Sequence, residues 1–124
     1  MIYFKRIFNH PMSQYTLFFT LVSFFVFCPY FLTDTSLIWH ADGLTQHYPA
    51  LVQWQHDLKQ LLFHHIWPTT WDWHLGLGSD YIQTFSYYTI GDIFTYPIVF
   101  FSKTFIVSYY GWAIILRLYL AGLS

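Results

Sequence analysis

The chain has 124 residues and a formal net charge of −1, with 56% hydrophobic, 25% aromatic and only 9% charged residues. Soluble domains carry about a quarter charged residues, so this composition argues against a soluble globular domain. The near-zero net charge also gives no reason to expect a nucleic-acid partner. The single cysteine, Cys28, excludes a disulfide within the chain.

Residues 15–33 form an apolar run without a charge and predict a first transmembrane helix. At a rise of about 1.5 Å per residue, roughly 19 residues reach about 28 Å, which is close to the thickness of the hydrocarbon layer. A cleaved signal peptide is the alternative, because Lys5 and Arg6 precede the run. The run is longer than a usual signal core, and no small-x-small cleavage site follows it. The spanning helix is therefore favoured.

The distribution of charge predicts the orientation of this helix. Lys5 and Arg6 precede it, whereas all six acidic residues are aspartates between residues 34 and 92. By the positive-inside rule, residues 1–14 are cytoplasmic and residues 34–92 form an extracytoplasmic loop.

Residues 49–67 predict an amphipathic helix that lies on the outer surface of the membrane or of a helix bundle. Pro49 suits the first helical turn, and Pro68 ends the helix. Trp54 and Trp67 favour the membrane–water boundary. The apolar stripe recurs at three- and four-residue spacing and consists of Leu51, Trp54, Leu58, Leu61 and Leu62.

The remainder of the chain leads back to the membrane. Residues 69–81 predict a glycine-containing loop, and residues 81–90 a short interfacial helix. Residues 93–101 are apolar but too short to span, which indicates an interfacial or re-entrant segment. Residues 104–124 are long enough to cross back inward as a second, truncated transmembrane helix. Arg117 then snorkels toward the cytoplasmic face or pairs within a bundle.

These elements predict an all-α membrane protein in which two transmembrane helices flank an extracytoplasmic segment of short amphipathic and interfacial helices. The histidines of that segment show no HExxH or paired Cys/His spacing, so they are interpreted as polar loop residues. Oxygen ligands suit Mg²⁺ or Mn²⁺. A hard-cation site that uses Asp42 and Asp80 is therefore favoured over a zinc site.

The order of the motifs resembles the start of the bacterial YfhO-type membrane proteins. A spanning helix is followed by "DGLTQHYP", an amphipathic stretch, "WDWHLGLGSDY", "FSYYTIGDIF" and a returning helix. The resemblance runs from about residue 15 to the end of the chain and covers the beginning of the family's longer, many-spanning pattern. It implies the N-terminal part of a GT-C-like fold.

GT-C glycosyltransferases transfer sugars from polyprenyl-phosphate carriers, and YfhO-type proteins are linked with adding sugars to lipoteichoic acid or other surface polymers of Gram-positive bacteria. The resemblance thus implies three partners: the lipid bilayer, a polyprenyl-phosphate-linked sugar donor and a cell-surface polymer acceptor. A non-catalytic membrane transport or envelope-assembly protein is the alternative. The 124 residues alone are expected to be inactive, because two spans and one loop do not enclose donor and acceptor together.

The resemblance also implies roles for individual residues. Asp42 matches the functional aspartate of the first outer loop and would act as a general base or a metal ligand, with a carboxylate partly desolvated by aromatic neighbours. A helix N-cap or a solvated loop acid is its alternative role. Position 93 departs from the family, which usually has Pro where this chain has Ile93. The expected substrate-binding residues are Gln46, His47, Tyr48, Gly76, Gly78 and Asp80.

Overall fold

The computed structural model describes residues 10–33 and 35–124. The described chain divides into two compact units, one made of residues 10–33 and 35–37 together with Gly111–Ser124 and the other of Ile38–Tyr110. Most of the predicted cytoplasmic stretch 1–14 lies outside the described residues, as does Asp34.

Helices dominate the described residues, as the sequence predicts for an all-α membrane protein. The α-helices and strands are α1 (Pro11–Leu32), α2 (Tyr48–His64), β1 (Trp71–Asp72), β2 (Ser79–Asp80), α3 (Tyr81–Phe85) and α4 (Ile106–Ala121). The π-helical turns Gly43–His47 and Ser86–Ile90 adjoin α2 and α3, and 3₁₀ helices cover Ile93–Phe100 and Lys103–Phe105.

Two helical stretches of the described chain, Pro11–Leu32 and Lys103–Ala121, are long and apolar enough to cross a membrane. The first begins before the predicted boundary of residue 15 because Pro11 suits the first turn of a helix. It ends at Leu32, where the N–H and the hydroxyl of Thr33 both donate to the carbonyl oxygen of Pro29 at 3.0 and 2.8 Å. No residue of α1 is buried within the chain, which suits a helix surrounded by lipid.

Aromatic contacts pair α1 with α4 in antiparallel fashion. The ring of Tyr15 stacks on that of Tyr119 at 5.5 Å, and the Tyr15 hydroxyl donates to the Tyr119 carbonyl oxygen at 2.9 Å. At the other end of α1, the ring of Phe31 stacks on that of Trp112 at 5.2 Å. Antiparallel packing is the arrangement expected of consecutive spans that cross in opposite directions.

The second unit has its own hydrophobic core, built on the inner face of α2. The buried residues of this core are Leu51, Trp54, Leu58, Tyr81, Phe85, Ile98, Val99 and Ile106. Three of the five residues in the predicted apolar stripe are therefore in the core, whereas Leu62 is 53% exposed. The predicted segment 93–101 contributes Ile98 and Val99 to this core through the 3₁₀ helix Ile93–Phe100.

The predicted helix 49–67 differs from α2 at its end, and one of its tryptophans lies elsewhere than expected. Helix α2 stops at His64 because His65 adopts a left-handed conformation, and the N–H of Ile66 closes the turn on the carbonyl oxygen of Gln60. Trp54 is only 7% exposed and contacts the ring of Tyr96 edge-on. The expectation that Trp54 lies at the membrane–water boundary is wrong, because its side chain fills the protein core.

A buried amide on α2 joins the helix to the end of the following 3₁₀ helix. Gln55 is fully buried, and its Nε2 donates to the carbonyl oxygens of Ile98 and Phe101, each at 2.9 Å. Lys59, one turn further along α2, donates to the same Phe101 oxygen at 2.7 Å. The amide is thus a second donor to each oxygen, because the N–H of Phe101 also donates to the Ile98 oxygen, at 3.1 Å.

We expect Gln55→Leu to destabilise the second unit by about 1–3 kcal/mol, because the two hydrogen bonds from its buried amide to the Ile98 and Phe101 carbonyl oxygens would be lost. The measurement is the thermal unfolding of the detergent-solubilised protein, followed by circular dichroism. Gln60→Leu is the matched control, since Gln60 is only half-buried on the same helix. Equal stability of the two variants would contradict the structural role given to the Gln55 amide.

Candidate functional site

A cavity of about 660 Å³ opens in the second unit, and residues from three parts of that unit line it. Its size falls within the range of small-molecule sites, which is about 300–1,000 Å³. One wall comes from the start of α2 and the turn before it, a second from the segment that includes β1 and β2, and a third from α3 and the turn after it. The lining residues are Thr45, Gln46, Pro49, Ala50, Gln53, Asp72, His74, Leu75, Gly76, Ser79, Thr84, Phe85 and Tyr88.

Gln46 is held at this cavity by hydrogen bonds at both ends of its amide. Its Nε2 donates to Oδ1 of Asp42 at 2.8 Å, and its Oε1 accepts a hydrogen bond from the Tyr88 hydroxyl at 2.6 Å. The first contact follows from the helical spacing of four residues. Because the nitrogen has an acceptor and the oxygen has a donor, the two hydrogen bonds fix the amide in one orientation.

Asp42 does not line the cavity, but it is hydrogen-bonded to Gln46, which does. The residue is exposed, so the expected partial desolvation by aromatic neighbours is absent from the structure. Asp42 directly precedes the turn Gly43–His47, but its side chain makes no cap hydrogen bond there. The carboxylate instead accepts the hydrogen bond from Gln46, which lines the cavity.

His47 and Tyr48 surround the cavity wall rather than line it. The His47 ring contacts the rings of Tyr88 and Tyr87 at 5.2 and 6.1 Å. Tyr48 packs against the hydrophobic core. Both residues therefore support the wall that presents Gln46 and Tyr88.

The two glycines of the predicted loop differ in what they do. Both have positive φ, 63° at Gly76 and 100° at Gly78, as the sequence allows. Gly76 lines the cavity, and a Cβ there would meet nothing within 4 Å. A Cβ at Gly78 would lie 2.8 Å from the ring of Trp73. Gly76 is thus required by its backbone conformation rather than by space, whereas Gly78 also makes room for tryptophan packing.

Asp80 caps a helix instead of lining the cavity. Its Oδ1 accepts a hydrogen bond from the backbone N–H of Gln83 at 2.7 Å, at the start of α3. In the part of the chain that the structure describes, no three His, Cys, Asp or Glu side chains form a group that could hold a metal ion. The described residues therefore add no third ligand to the expected pair of Asp42 and Asp80.

The cavity wall also contains an Asp–His pair that sequence reasoning missed. Oδ1 of Asp72 accepts a hydrogen bond from the backbone N–H of His74 at 2.8 Å, and the His74 Nδ1 lies 3.1 Å from the same oxygen. The backbone N–H of His74, assisted by its ring, holds the pKa of Asp72 below its usual value. The spacing of two residues in "WDWH" is typical of an Asx turn, but it does not indicate that both residues line a cavity.

A second cavity, of about 390 Å³, lies along the polar face of α2 and shares Gln53 and Asp72 with the first. The Tyr81 hydroxyl donates to Oδ2 of Asp57 at 2.5 Å, and Gln53 Nε2 donates to Oδ1 at 3.0 Å. Burial, together with the Asp57 carboxylate, raises the pKa of Tyr81 far above its usual value, so the phenol keeps its proton. Asp57 is thus a second acceptor that joins α2 to α3.

Comparison with known proteins finds one protein family. The family model described as bacterial membrane protein YfhO matches residues 15–124. No curated protein and no solved structure matches the chain. The sequence resemblance to YfhO-type proteins is therefore confirmed over almost the whole chain.

We expect the Asp72 carboxyl group to titrate below the ordinary aspartate pKa of about 3.9. Because the pKa is lowered in the folded chain, these hydrogen bonds stabilise the fold fully when the pH is above the pKa of Asp72 in the unfolded chain. This stabilisation is lost as the pH falls through the pKa of Asp72 in the folded chain. The measurement is the pH dependence of the Asp72 carboxyl carbon-13 chemical shift.

Two variants at residue 74 separate the causes of this lowered pKa. His74→Ala keeps the backbone N–H, so most of the effect on Asp72 should remain. His74→Pro removes that donor and should return the pKa toward its ordinary value. An ordinary midpoint in the unmodified protein would contradict the Asp72 geometry.

Proposed function

The chain belongs to the bacterial membrane protein family YfhO, and we propose that it forms the donor-binding segment of a membrane glycosyltransferase. The proposed donor is a polyprenyl-phosphate-linked sugar, and the acceptor is a cell-surface polymer such as lipoteichoic acid of a Gram-positive bacterium. One observation carries the proposal: the cavity of about 660 Å³ is bounded by Gln46, whose amide is tied to both Asp42 and Tyr88.

The chemistry of the cavity lining suits a sugar headgroup. The amides of Gln46 and Gln53 and the hydroxyls of Ser79, Thr84 and Tyr88 offer donors and acceptors in one space. Sugar hydroxyls need both kinds of partner. These neutral groups, together with apolar neighbours such as Phe85, match the usual composition of a small-molecule site.

The location of this cavity along the chain suits a substrate that is partly lipid. Along the chain, the cavity-lining residues 45–88 come between two apolar stretches, Pro11–Leu32 and Lys103–Ala121. A polyprenyl carrier stays in the bilayer while its phosphate and sugar reach the membrane surface. In the proposed orientation the N-terminus is cytoplasmic, residues 34–92 are extracytoplasmic, and transfer occurs on the outer face.

The proposed reaction is a displacement at the anomeric carbon of the sugar. An acceptor hydroxyl gives its proton to the Asp42 carboxylate while its oxygen bonds to the anomeric carbon. The bond from that carbon to the phosphate oxygen breaks, and polyprenyl phosphate leaves with the electron pair. Exposed Asp42 is reachable by a polymer acceptor, and Gln46 connects it to the cavity that would hold the donor.

The same geometry divides the predicted substrate-binding residues into two groups. Gln46 and Gly76 line the cavity and are proposed to contact the donor headgroup. The other four are proposed to support the walls through ring contacts, core packing, close backbone approach and helix capping; they are His47, Tyr48, Gly78 and Asp80.

We expect Asp42→Asn, introduced into the gene in its host, to lower glycosylation of the surface polymer about 100-fold or more, as loss of a general base does. Asp42→Glu, which keeps a carboxylate, should retain part of the activity. The measurement is the sugar content of the purified polymer, with the amount of protein in the membrane checked by immunoblot.

A separate control distinguishes loss of chemistry from loss of fold. Asp57→Asn changes an acidic residue of the second cavity, without touching the Asp42–Gln46 contact, and should reduce glycosylation less than Asp42→Asn. Unchanged glycosylation in Asp42→Asn at normal protein levels would remove Asp42 from the mechanism. That result would favour the alternative function, a non-catalytic transport or envelope-assembly partner.

A further inference from the structure

A short hairpin in the second unit presents large apolar side chains to its surroundings. Strands β1 and β2 pair Trp71 with Asp80 and Asp72 with Ser79, and residues 71–80 are called the tryptophan hairpin here. Trp71, Trp73 and Leu77 are 49%, 73% and 99% exposed. Side chains of this size are usually at least partly covered in a protein that is surrounded by water.

The hairpin is an ordered structure in which the exposed tryptophan rings pack on each other beside a tight glycine turn. The rings of Trp71 and Trp73 pack edge to face at 5.7 Å. Gly78, at φ 100°, lies against both rings, where any Cβ would be 2.8 Å from Trp73. The N–H of Gly78 donates to the Leu75 carbonyl oxygen at 3.0 Å. This tight turn holds Leu77 at the tip, between two glycines of positive φ.

Hydrogen bonds within the protein engage both carboxylates of the hairpin. Asp72 accepts from the N–H of His74, and Asp80 accepts from the N–H of Gln83. The polar His74 side chain is also exposed, next to the tryptophans. An imidazole ring is compatible with the membrane–water interface. The outward face of the hairpin is therefore aromatic and aliphatic.

We propose that the tryptophan hairpin inserts into the headgroup region of the bilayer, as a membrane contact separate from the spanning helices. Tryptophan favours the membrane–water interface because its ring is apolar while its N–H bonds to water or headgroups. The bilayer is the partner at hand, since apolar membrane-spanning stretches precede and follow the hairpin in the chain. A lipid surface covers tryptophan and leucine side chains without needing a matching pocket, and it does not require the charged groups that the outward face lacks.

This contact is independent of the proposed transferase function. It concerns where one edge of the second unit lies, whatever reaction the protein performs. Interfacial segments sit about 5–10 Å into the boundary between headgroups and acyl chains. A fluorescent probe at the tip of the hairpin should therefore lie at a shallow depth in the bilayer, near the lipid headgroups.

The test labels the hairpin tip with an environment-sensitive dye in the whole protein. Leu77→Cys is made in a Cys28→Ala background, labelled with a nitrobenzoxadiazole dye and reconstituted into phosphatidylcholine nanodiscs. We expect blue-shifted emission that a nitroxide high on the lipid acyl chain quenches more strongly than one at the chain end. Trp73→Cys, labelled in the same way, provides a second position and should give the same result.

The control is His56→Cys, an exposed position on the polar face of α2, whose label should emit as in water and resist both lipid quenchers. Water-like emission at positions 77 and 73, quenched by aqueous iodide, would overturn the proposal. Blue-shifted emission that neither lipid nitroxide nor iodide quenches would also overturn it, because protein rather than lipid would then cover the hairpin. Because none of these measurements uses sugar transfer, failure of the transferase proposal would leave the result unaffected.

Discussion

The buried amide of Gln55 is the interaction on which the second unit depends. It binds the carbonyl oxygens of Ile98 and Phe101, where the 3₁₀ helix Ile93–Phe100 ends. A 3₁₀ helix has poorer internal hydrogen bonds than an α-helix, and the Gln55 amide adds an outside donor to the carbonyl groups at its end. By providing that donor, Gln55 fixes the 3₁₀ helix against α2, and the core forms between them. Helix α2 can then present its other face to the cavities.

The two faces of α2 explain why the core and the candidate site are adjacent. Leu51, Trp54 and Leu58 lie in the core, while Gln53 and Asp57 face the loop side and contribute to cavities. A change in the position of α2 would therefore alter core packing and cavity shape together. The Tyr81–Asp57 hydrogen bond adds a second constraint, since it joins this polar face to the start of α3.

Periodicity and composition predicted the elements of this chain better than they predicted its contacts. The apolar runs at residues 15–33 and 104–124 correspond to α1 and α4, because an apolar run of that length with no more than one charge has few alternatives to a helix. The end of α2 was misplaced because a left-handed residue, His65, stops the helix before Pro68. Gln55 was not predicted as a core residue because a polar side chain breaks the apolar pattern, and only the folded chain places two carbonyl groups opposite its amide.

The candidate site was predictable to a similar extent. Gly76 and Gly78 have the positive φ that glycine permits, and the motif "DGLTQHYP" contains the Gln46 that lines the cavity. The Asp72–His74 pair could not be assigned to that cavity from the sequence. It lines the same cavity as Gln46 only because residues 71–72 pair with residues 79–80, and this pairing leaves no signal near Gln46 in the sequence. Burial differs in the same way: Trp54 and Trp67 look alike as sequence, yet the first is in the core and the second is exposed.

Three glutamines of one helical stretch perform tasks that ion pairs perform in more highly charged proteins. Gln46 holds Asp42, Gln53 holds Asp57, and Gln55 holds two backbone carbonyl groups. A neutral amide loses less free energy than an ammonium or guanidinium group when it leaves water. A chain with only 9% charged residues thus uses neutral amides as hydrogen-bond partners of Asp42 and Asp57. The amides keep these acidic groups in place, and they add hydrogen-bonding groups to a cavity wall that also holds the Asp72 carboxylate.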